Sequence, residues 1–254
     1  MDNVSYKVHP KENRYFALSV VASILGYLMI AGLFFSLFSS TATRAGLGIL
    51  IFYASFFVFY YIFTSGILAG YVRGNGVRIT EVQFPEIFEI CRTQSRLLGI
   101  EMPPVYIMQS GGALNAFATR FIGRNYVVIY SEIFDLAFEQ GLDELSFVLA
   151  HELGHIRQYH HSKNFWLFPS IIVPFLRQAY SRGCEYTCDN IGHALSPQGS
   201  TTGLLILASG KTGYRKVNVN EYVRSAGKES GFWVWFSEKV SSHPYLPKRV
   251  QNLS

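Results

Sequence analysis

The sequence predicts an α+β globular domain, mainly helical with a small β-sheet, preceded by a hairpin of two transmembrane helices. Three observations lead there. Two uncharged apolar runs occupy residues 15 to 38 and 45 to 72. Charged residues make up only 15% of the chain against 49% hydrophobic, and most of that deficit lies in the two runs; an ordinary soluble domain carries roughly 25% charge. After residue 72 the pattern changes to short helical and strand-like segments punctuated by glycine and proline. The expected organisation is an N-terminal segment over 1–14, two transmembrane helices over 15–72 and a globular domain over 73–254.

As a helix, the first run (YFALSVVASILGYLMIAGLFFSLF) is about 36 Å long, enough for a hydrocarbon core of about 30 Å. The second, Ala45 to Val72, is longer than a crossing needs, so it tilts or lays its Gly66 to Val72 end in the interface. Tyr15, Tyr27, Tyr60, Tyr61 and Tyr71 include interfacial anchors. The link SSTATR is short, which makes the two spans a hairpin. Lys7, Lys11 and Arg14 precede the first span and Arg73 and Arg78 follow the second, against Arg44 alone in the link. Positive-inside bias then places both ends in the cytoplasm, so the chain reads as a multi-pass integral membrane protein with a cytoplasmic globular domain, which in a bacterium would mean the plasma or inner membrane. The first run is too long for the core of a cleavable signal peptide.

Within the globular part, residues 84 to 98 form a predicted helix with Ile87, Ile90, Leu97 and Leu98 on its apolar side. Val105 to Met108, Asn115 to Thr119 and Tyr126 to Tyr130 read as strands, with turns at Gly111–Gly112 and Gly123–Arg124–Asn125. Their hairpin-like spacing predicts a largely antiparallel sheet. Asp143 is the expected N-cap of a strong helix carrying Leu145, Val148, Leu149, Glu152 and His155 at helical spacing, running to about His160. Phe165 to Ala179 is apolar, broken by Pro169 and Pro174, and too short to cross a bilayer twice; it reads as a kinked helix packed on the domain, with immersion in the interface as the alternative. Another helix contains Arg182 to Leu195. The tail is mixed and loop-rich, with an apolar cluster from Phe232 to Phe236 and the segment SSHPYLPKR.

The net charge of +5 comes without a dense basic run or basic residues interleaved with aromatics, which excludes nucleic acid as an expected partner. The basic residues beside the spans face anionic lipid headgroups instead. Cys91, Cys184 and Cys188 are too few and too odd in number for a disulfide framework, and read as free thiols in a reducing compartment.

The pentapeptide HELGH at 151 to 155 carries the chemistry. Histidines four apart on a helix stack on one face, so His151 and His155 can reach one zinc ion, and Glu152 stands beside it as the base for water. A catalytic zinc takes a third protein ligand and keeps an open position. Among the downstream candidates, Glu185 lies thirty residues past His155 on a predicted helix, with Asp189 one turn further on the same face. That pairing suits a ligand and a carboxylate that orients a ligand histidine through its outer nitrogen.

VLAHELGHIRQYHH followed by SRGCEYTCDNIG resembles the membrane metallopeptidases of the HtpX and CAAX-prenyl-protease type, over about residues 80 to 254. In that family an HExxH helix is followed by an E-Y-x-A-D helix; here Glu185-Tyr186-Thr187-Cys188-Asp189 matches, with Cys188 in place of alanine. NAFATR is similar to the family's N-A-F segment, and the resemblance implies that Asn115, Ala116 and Phe117 form the edge strand on which an extended substrate lies. SSHPYLPKR, with His243, Pro244 and Arg249, resembles the family's late T-H-P-x-x-x-R segment.

The resulting expectation is a gluzincin-like, membrane-anchored zinc endopeptidase with one Zn2+ per chain, His151, His155 and Glu185 as ligands and Glu152 as catalytic base. His243 has two readings: a catalytic group entering the cleft to steady the oxyanion or meet the metal, or a histidine holding the turn before Pro244. His160 and His161 read as helix-end histidines, and Arg182 and Arg249 as structural ion-pair partners. Substrates are expected to be protein or peptide chains at or in the lipid bilayer; the oligomeric state is not readable. The rival functions are a prenyl-protein endopeptidase and a non-enzymatic membrane adaptor with structural zinc.

Overall fold

The computed structural model describes residues 4–39, 44–109, 116–121 and 124–253. Two long helices open the chain, α1 (Pro10–Ser39) and α2 (Arg44–Asn75). Both are long and apolar enough to cross a membrane. The apolar side chains of α2 are exposed almost throughout, until Ala69 and Val72 reach the globular part. The first half of α1 behaves differently. Glu12, Ser19, Ala22 and Ser23 are buried against the domain.

A short strand β1 (Val77–Arg78) and helix α3 (Pro85–Leu97) follow, then β2 (Val105–Met108), β3 (Ala116–Phe121) and β4 (Arg124–Tyr130). Pro85 sits in the first turn of α3, where its missing N–H costs nothing. The sheet has the order β1-β2-β4-β3. It is mixed rather than largely antiparallel: β1 with β2 and β3 with β4 are antiparallel, but β2 and β4 run parallel. The reason lies in β4. Val127, Val128 and Ile129 are fully buried on both faces, as expected of a central strand with neighbours on each side. That pushes β3 to the edge. The expected strand residue Asn115, the turn at Gly111–Gly112, Gly123 and the link at 40–43 lie outside the described residues.

Helix α4 (Ser131–Gln140) leads into α5 (Asp143–Arg157), the central helix, in which Leu145, Phe147, Val148, Leu149 and Leu153 are buried. Its N-cap is Leu142 rather than Asp143, which instead places its charge in the first turn beside the positive helix end. Nor does α5 run to His160. Tyr159 takes a left-handed conformation (φ +56), turning the chain sharply so that His160 opens a new helix, α6 (His160–Trp166). A 3-10 turn over Phe168–Ile172 precedes α7 (Leu176–Leu195), which begins well before Arg182.

The tail is helical rather than loop-rich, with α8 (Pro197–Gly213), α9 (Val219–Ala226), α10 (Phe232–Val240) and α11 (Leu246–Leu253). Pro197 starts α8, and the apolar Leu204, Leu205 and Ile206 bury it against α5. The main core thus lies between the sheet, α3 and α4 on one side and α7, α8 and α11 on the other, with α5 through the middle.

The N-terminal stretch is built into this core. Helix α1 runs antiparallel to α7: the His9 N–H donates to Thr187 Oγ1 (3.0 Å), the Glu12 backbone crosses Gly183, and the Phe16 and Tyr180 rings lie 5.8 Å apart. A Cβ at Gly183 would come within 2.7 Å of the Glu12 backbone, so only glycine permits this approach.

Candidate active site

The site forms where α5 and α7 cross. Gly154 lets them approach, since a Cβ there would already sit 3.3 Å from Cys188 Sγ. The crossing sets Glu185 opposite the two histidines of HELGH. His151 Nε2 and His155 Nε2 are 3.3 Å apart, Glu185 Oε2 is 3.5 Å from the first and Glu185 Oε1 is 3.4 Å from the second. Two imidazoles and a carboxylate therefore converge on one point, and among the described residues this is one of three groups whose atoms could hold a metal ion. His151, Glu152, Glu185 and Asp189 are all buried.

Asp189 stands behind His151, its Oδ1 3.0 Å from His151 Nδ1. Arg249 clamps Asp189 from α11 with two bonds, Nε to Oδ2 at 2.8 Å and Nη2 to Oδ1 at 2.7 Å, and places Nη1 3.4 Å from Glu185 Oε2. Burial pushes both carboxyls upward, but their basic neighbours outweigh it: Arg249 holds Asp189 below the ordinary aspartate range, and His151, His155 and Arg249 hold Glu185 well below the glutamate range. Burial pushes His151 down, yet its contacts with Asp189 and Glu185 carry it up to about 10.

Behind His155 stands a second support. His155 Nδ1 lies 2.9 Å from His160 Nδ1, and His160 Nε2 lies 3.1 Å from Glu12 Oε1. His160 is buried, as is Glu12. Burial depresses the His160 pKa despite Glu12, which favours a neutral ring. A neutral His160 can accept at Nδ1 while donating from Nε2 to Glu12. Cys188 Sγ (3.7 Å from His160 Nδ1) and Cys184 border the same pair, and these residues form the other two clusters with metal-binding side chains. Hydrogen bonding already accounts for their geometry. His160 thus opens a helix and backs His155; it does not end the HELGH helix.

Glu152 points to the edge strand, where its Oε2 accepts the Ala118 N–H at 2.7 Å. Ala116 lines a cleft with His151, Glu185, His243 and Arg249. Phe117 is turned away: its ring packs at 5.9 Å on Tyr130, on the face of the sheet that meets Val72 of α2. By the alternation of an antiparallel ladder its backbone groups face β4, since those of Ala118 point outward. His243 sits at the mouth of the cleft, mostly exposed, with Nε2 3.6 Å from Glu185 Oε1. Its backbone N–H and carbonyl both bond Ser241 Oγ, and Ser242 Oγ is 2.9 Å from its Nδ1, so it also shapes the turn before Pro244. Arg182 makes no ion pair among the described contacts. Its Nη1 donates to the carbonyls of Glu238, Lys239 and Ser241, capping the end of α10.

Residues 81–172 match the model of peptidase family M48. The protease HtpX homolog of Streptococcus uberis is 30% identical over 146 residues, covering 57% of this chain and 44% of that protein. The protease HtpX homolog of Campylobacter curvus is 37% identical over 91 residues, covering 34% of this chain and 29% of that protein. The plastoglobule-localized metallopeptidase 48 of Arabidopsis thaliana is 27% identical over 175 residues, covering 60% and 49%. The chain matches less than half the length of these relatives. HELGH lies inside the M48 match, whereas Glu12, Glu185, Asp189, His243 and Arg249 lie outside it.

Sequence reasoning singled out His151, Glu152, His155, Glu185 and Asp189, which the structure sets where α5 and α7 cross. It missed Glu12 and His160 as the support of His155. The available signal was a glutamate three residues before a long apolar run, a position where a charge needs a partner.

Proposed function

We propose that the chain is a membrane-anchored zinc-dependent endopeptidase that cleaves membrane or membrane-proximal protein segments. The convergence of His151, His155 and Glu185 carries this reading. A tetrahedral zinc with bonds of about 2.0–2.1 Å separates its ligand atoms by about 3.3–3.4 Å; the two histidine Nε2 atoms are 3.3 Å apart, and each has a Glu185 oxygen at 3.4 or 3.5 Å. Without a cation, two imidazole nitrogens facing each other inside a buried site are poorly satisfied. The donor set therefore fits zinc.

Zinc held by His151, His155 and Glu185 would supply Lewis acidity to a scissile carbonyl and acidify water. The chain's own groups do the rest. Glu152 takes the proton of the attacking water on its oxygen not held by Ala118, then delivers it to the leaving amine. Asp189 and His160 keep the outer nitrogens of His151 and His155 engaged, which fixes the ring orientations. At the cleft mouth, His243 is placed to donate to the carbonyl oxygen as negative charge develops there. The edge of β3 offers backbone groups to an extended chain beside Glu152.

The bilayer enters the reading through α1 and α2. Val72, near the end of α2, packs on Tyr106, Tyr126 and Val128, so no spacer separates the apolar helix from the sheet. Substrates would then be cut near the membrane surface. The test is a paired measurement on wild type and Glu152→Gln. Bound zinc should be retained and cleavage of a membrane-protein substrate lost. Unchanged cleavage would sink the mechanism, and loss of zinc would reassign Glu152 to the metal sphere.

A further inference from the structure

The segment between α6 and α7 is apolar on its outer side, although it leaves the active site. Trp166, Phe168, Ile171, Ile172 and Val173 are exposed. No charged residue occurs between Lys163 and Arg177. This face is continuous with the outer surface of α1, and the contacts between the two fix its level along that helix. Ser23 Oγ donates to the Leu167 carbonyl (3.2 Å), Tyr27 Oη donates to the Trp166 carbonyl (3.0 Å), and Gly26 lies so close to Pro169 that a Cβ would approach it to 2.7 Å.

Those positions fall well inside the uncharged run of α1. If that run of about 36 Å is centred on a hydrocarbon core of about 30 Å, Ser23 sits about 9 Å below the core boundary and Gly26 about 13 Å below it. On its other side α1 is already apolar and exposed at Leu18 and Val21. The antiparallel α7 leaves this level at once, with Tyr180 beside Phe16 and Gly183 beside Glu12. The flanking charges stay near the boundary: Lys163 reaches the Phe16 ring and Glu12, and Arg177 lies over the Phe168 ring.

We propose that Phe165–Phe175 is a membrane-inserted collar, buried in the acyl chains of the leaflet next to the globular domain and backed by α1. The start of α10 joins its rim, since Phe236 meets Phe175 at 6.0 Å while Trp233 and Trp235 remain exposed. Irregular backbone survives at membrane depth only where its polar groups are satisfied, and several groups of this segment have partners. Besides the bonds from Ser23 and Tyr27, Ser170 N–H bonds the Leu167 carbonyl, Val173 N–H the Ser170 carbonyl and Leu176 N–H the Val173 carbonyl. The inserted collar would hold the domain against the bilayer and set the active site close to the lipid surface. The inference rests on the membrane-anchored reading of α1 and α2.

The test uses the chain's own fluorescence, because its only three tryptophans are Trp166, Trp233 and Trp235. The full chain is placed in phosphatidylcholine nanodiscs with or without bromine on the acyl chains. Wild type is measured first, then a Trp233→Phe/Trp235→Phe variant in which Trp166 alone emits. A third variant lacks all three tryptophans and carries Phe57→Trp on the exposed face of α2, as a reporter of the span itself. The collar predicts that brominated lipid removes more than half of the Trp166 emission and that aqueous iodide removes little. Strong iodide quenching of Trp166 with quenching of the Phe57→Trp reporter by brominated lipid would overturn the collar and leave the anchor standing. Absence of lipid quenching at both positions would overturn the anchor and the collar together.

Discussion

Removing the Glu12 carboxylate is expected to weaken metal binding without altering any proposed metal ligand. A His155 that offers its Nε2 lone pair to a metal must carry its proton on Nδ1. His160 Nδ1, 2.9 Å away, then accepts, and His160 Nε2 donates to Glu12 Oε1 at 3.1 Å. The orientation of His155 therefore depends on an acceptor on α1. Glu12→Ala leaves a buried N–H without a partner, a cost of about 1–3 kcal/mol. Loss of a hydrogen-bonding partner behind a metal ligand typically lowers affinity about 10–100-fold, equivalent to about 1.4–2.7 kcal/mol. Glu12→Gln keeps an acceptor oxygen and should recover part of the loss. The assay is zinc competition with a chromophoric chelator on the detergent-solubilised full chain, alongside the visible spectrum of the cobalt-substituted protein, which reports ligand geometry independently of turnover. A folded Glu12→Ala protein with wild-type affinity and an unchanged cobalt spectrum would refute the support. So would a Glu12→Gln protein no better than Glu12→Ala.

Three further outcomes follow from the buried polar groups and thiols. Arg249→Met strands the Asp189 and Glu185 carboxylates in the core, so the metal-free protein should lose about 3–5 kcal/mol in denaturant titration. Asp189 titrates below its ordinary value when folded, so its pair with Arg249 stabilises fully above about pH 4 and is lost as pH falls through the depressed folded value; acid melts of Asp189→Asn should show a shallower decline there than wild type. Cys91, Cys184 and Cys188 are free and buried, with burial pushing Cys91 up to about 12 and the other two upward as well. A thiol-specific chromogenic reagent should label none of them until denaturant is added.

What the sequence makes legible is what local periodicity encodes. His151 with His155 and Glu185 with Asp189 are pairs four apart on helices, and a spacing of four is a statement about one helix face. Bringing the two pairs together needed only one crossing, which Gly154 permits. The sheet order was not legible in the same way. The turn expected at Gly123–Arg124–Asn125 is placed too late, since Arg124 and Asn125 already pair with Phe121 and Arg120 in β4, and only the complete burial of Val127 to Ile129 reveals that β2 joins β4 from the other side. Helix α8 was missed because its glycines, serines and threonines have weak helix propensity, while packing of Leu204 to Ile206 on α5 sustains it. His160 depends on a left-handed tyrosine, a conformation no composition signals. Glu12 depends on a contact across 148 positions.

That last contact bears on where the catalytic unit begins. Reading charge and hydropathy alone separates an anchor over 15–72 from a domain over 73–254. The packing argues for a different division. Tyr6 Oη accepts from Gln158, Lys7 O accepts from Asn190, His9 stacks on Tyr186, and α1 covers Tyr180 and Cys184. A chain beginning at Arg73 would expose that face of α7 and remove the acceptor behind His160. Its M48 match would be intact, yet it should bind zinc more weakly than the full chain and melt at a lower temperature. Supplying residues 4–39 as a separate peptide in the same detergent should recover part of both losses, because the missing piece is a packing partner and a hydrogen-bond acceptor. A truncated chain with full zinc affinity and an unchanged melting point would show that α1 serves only as an anchor.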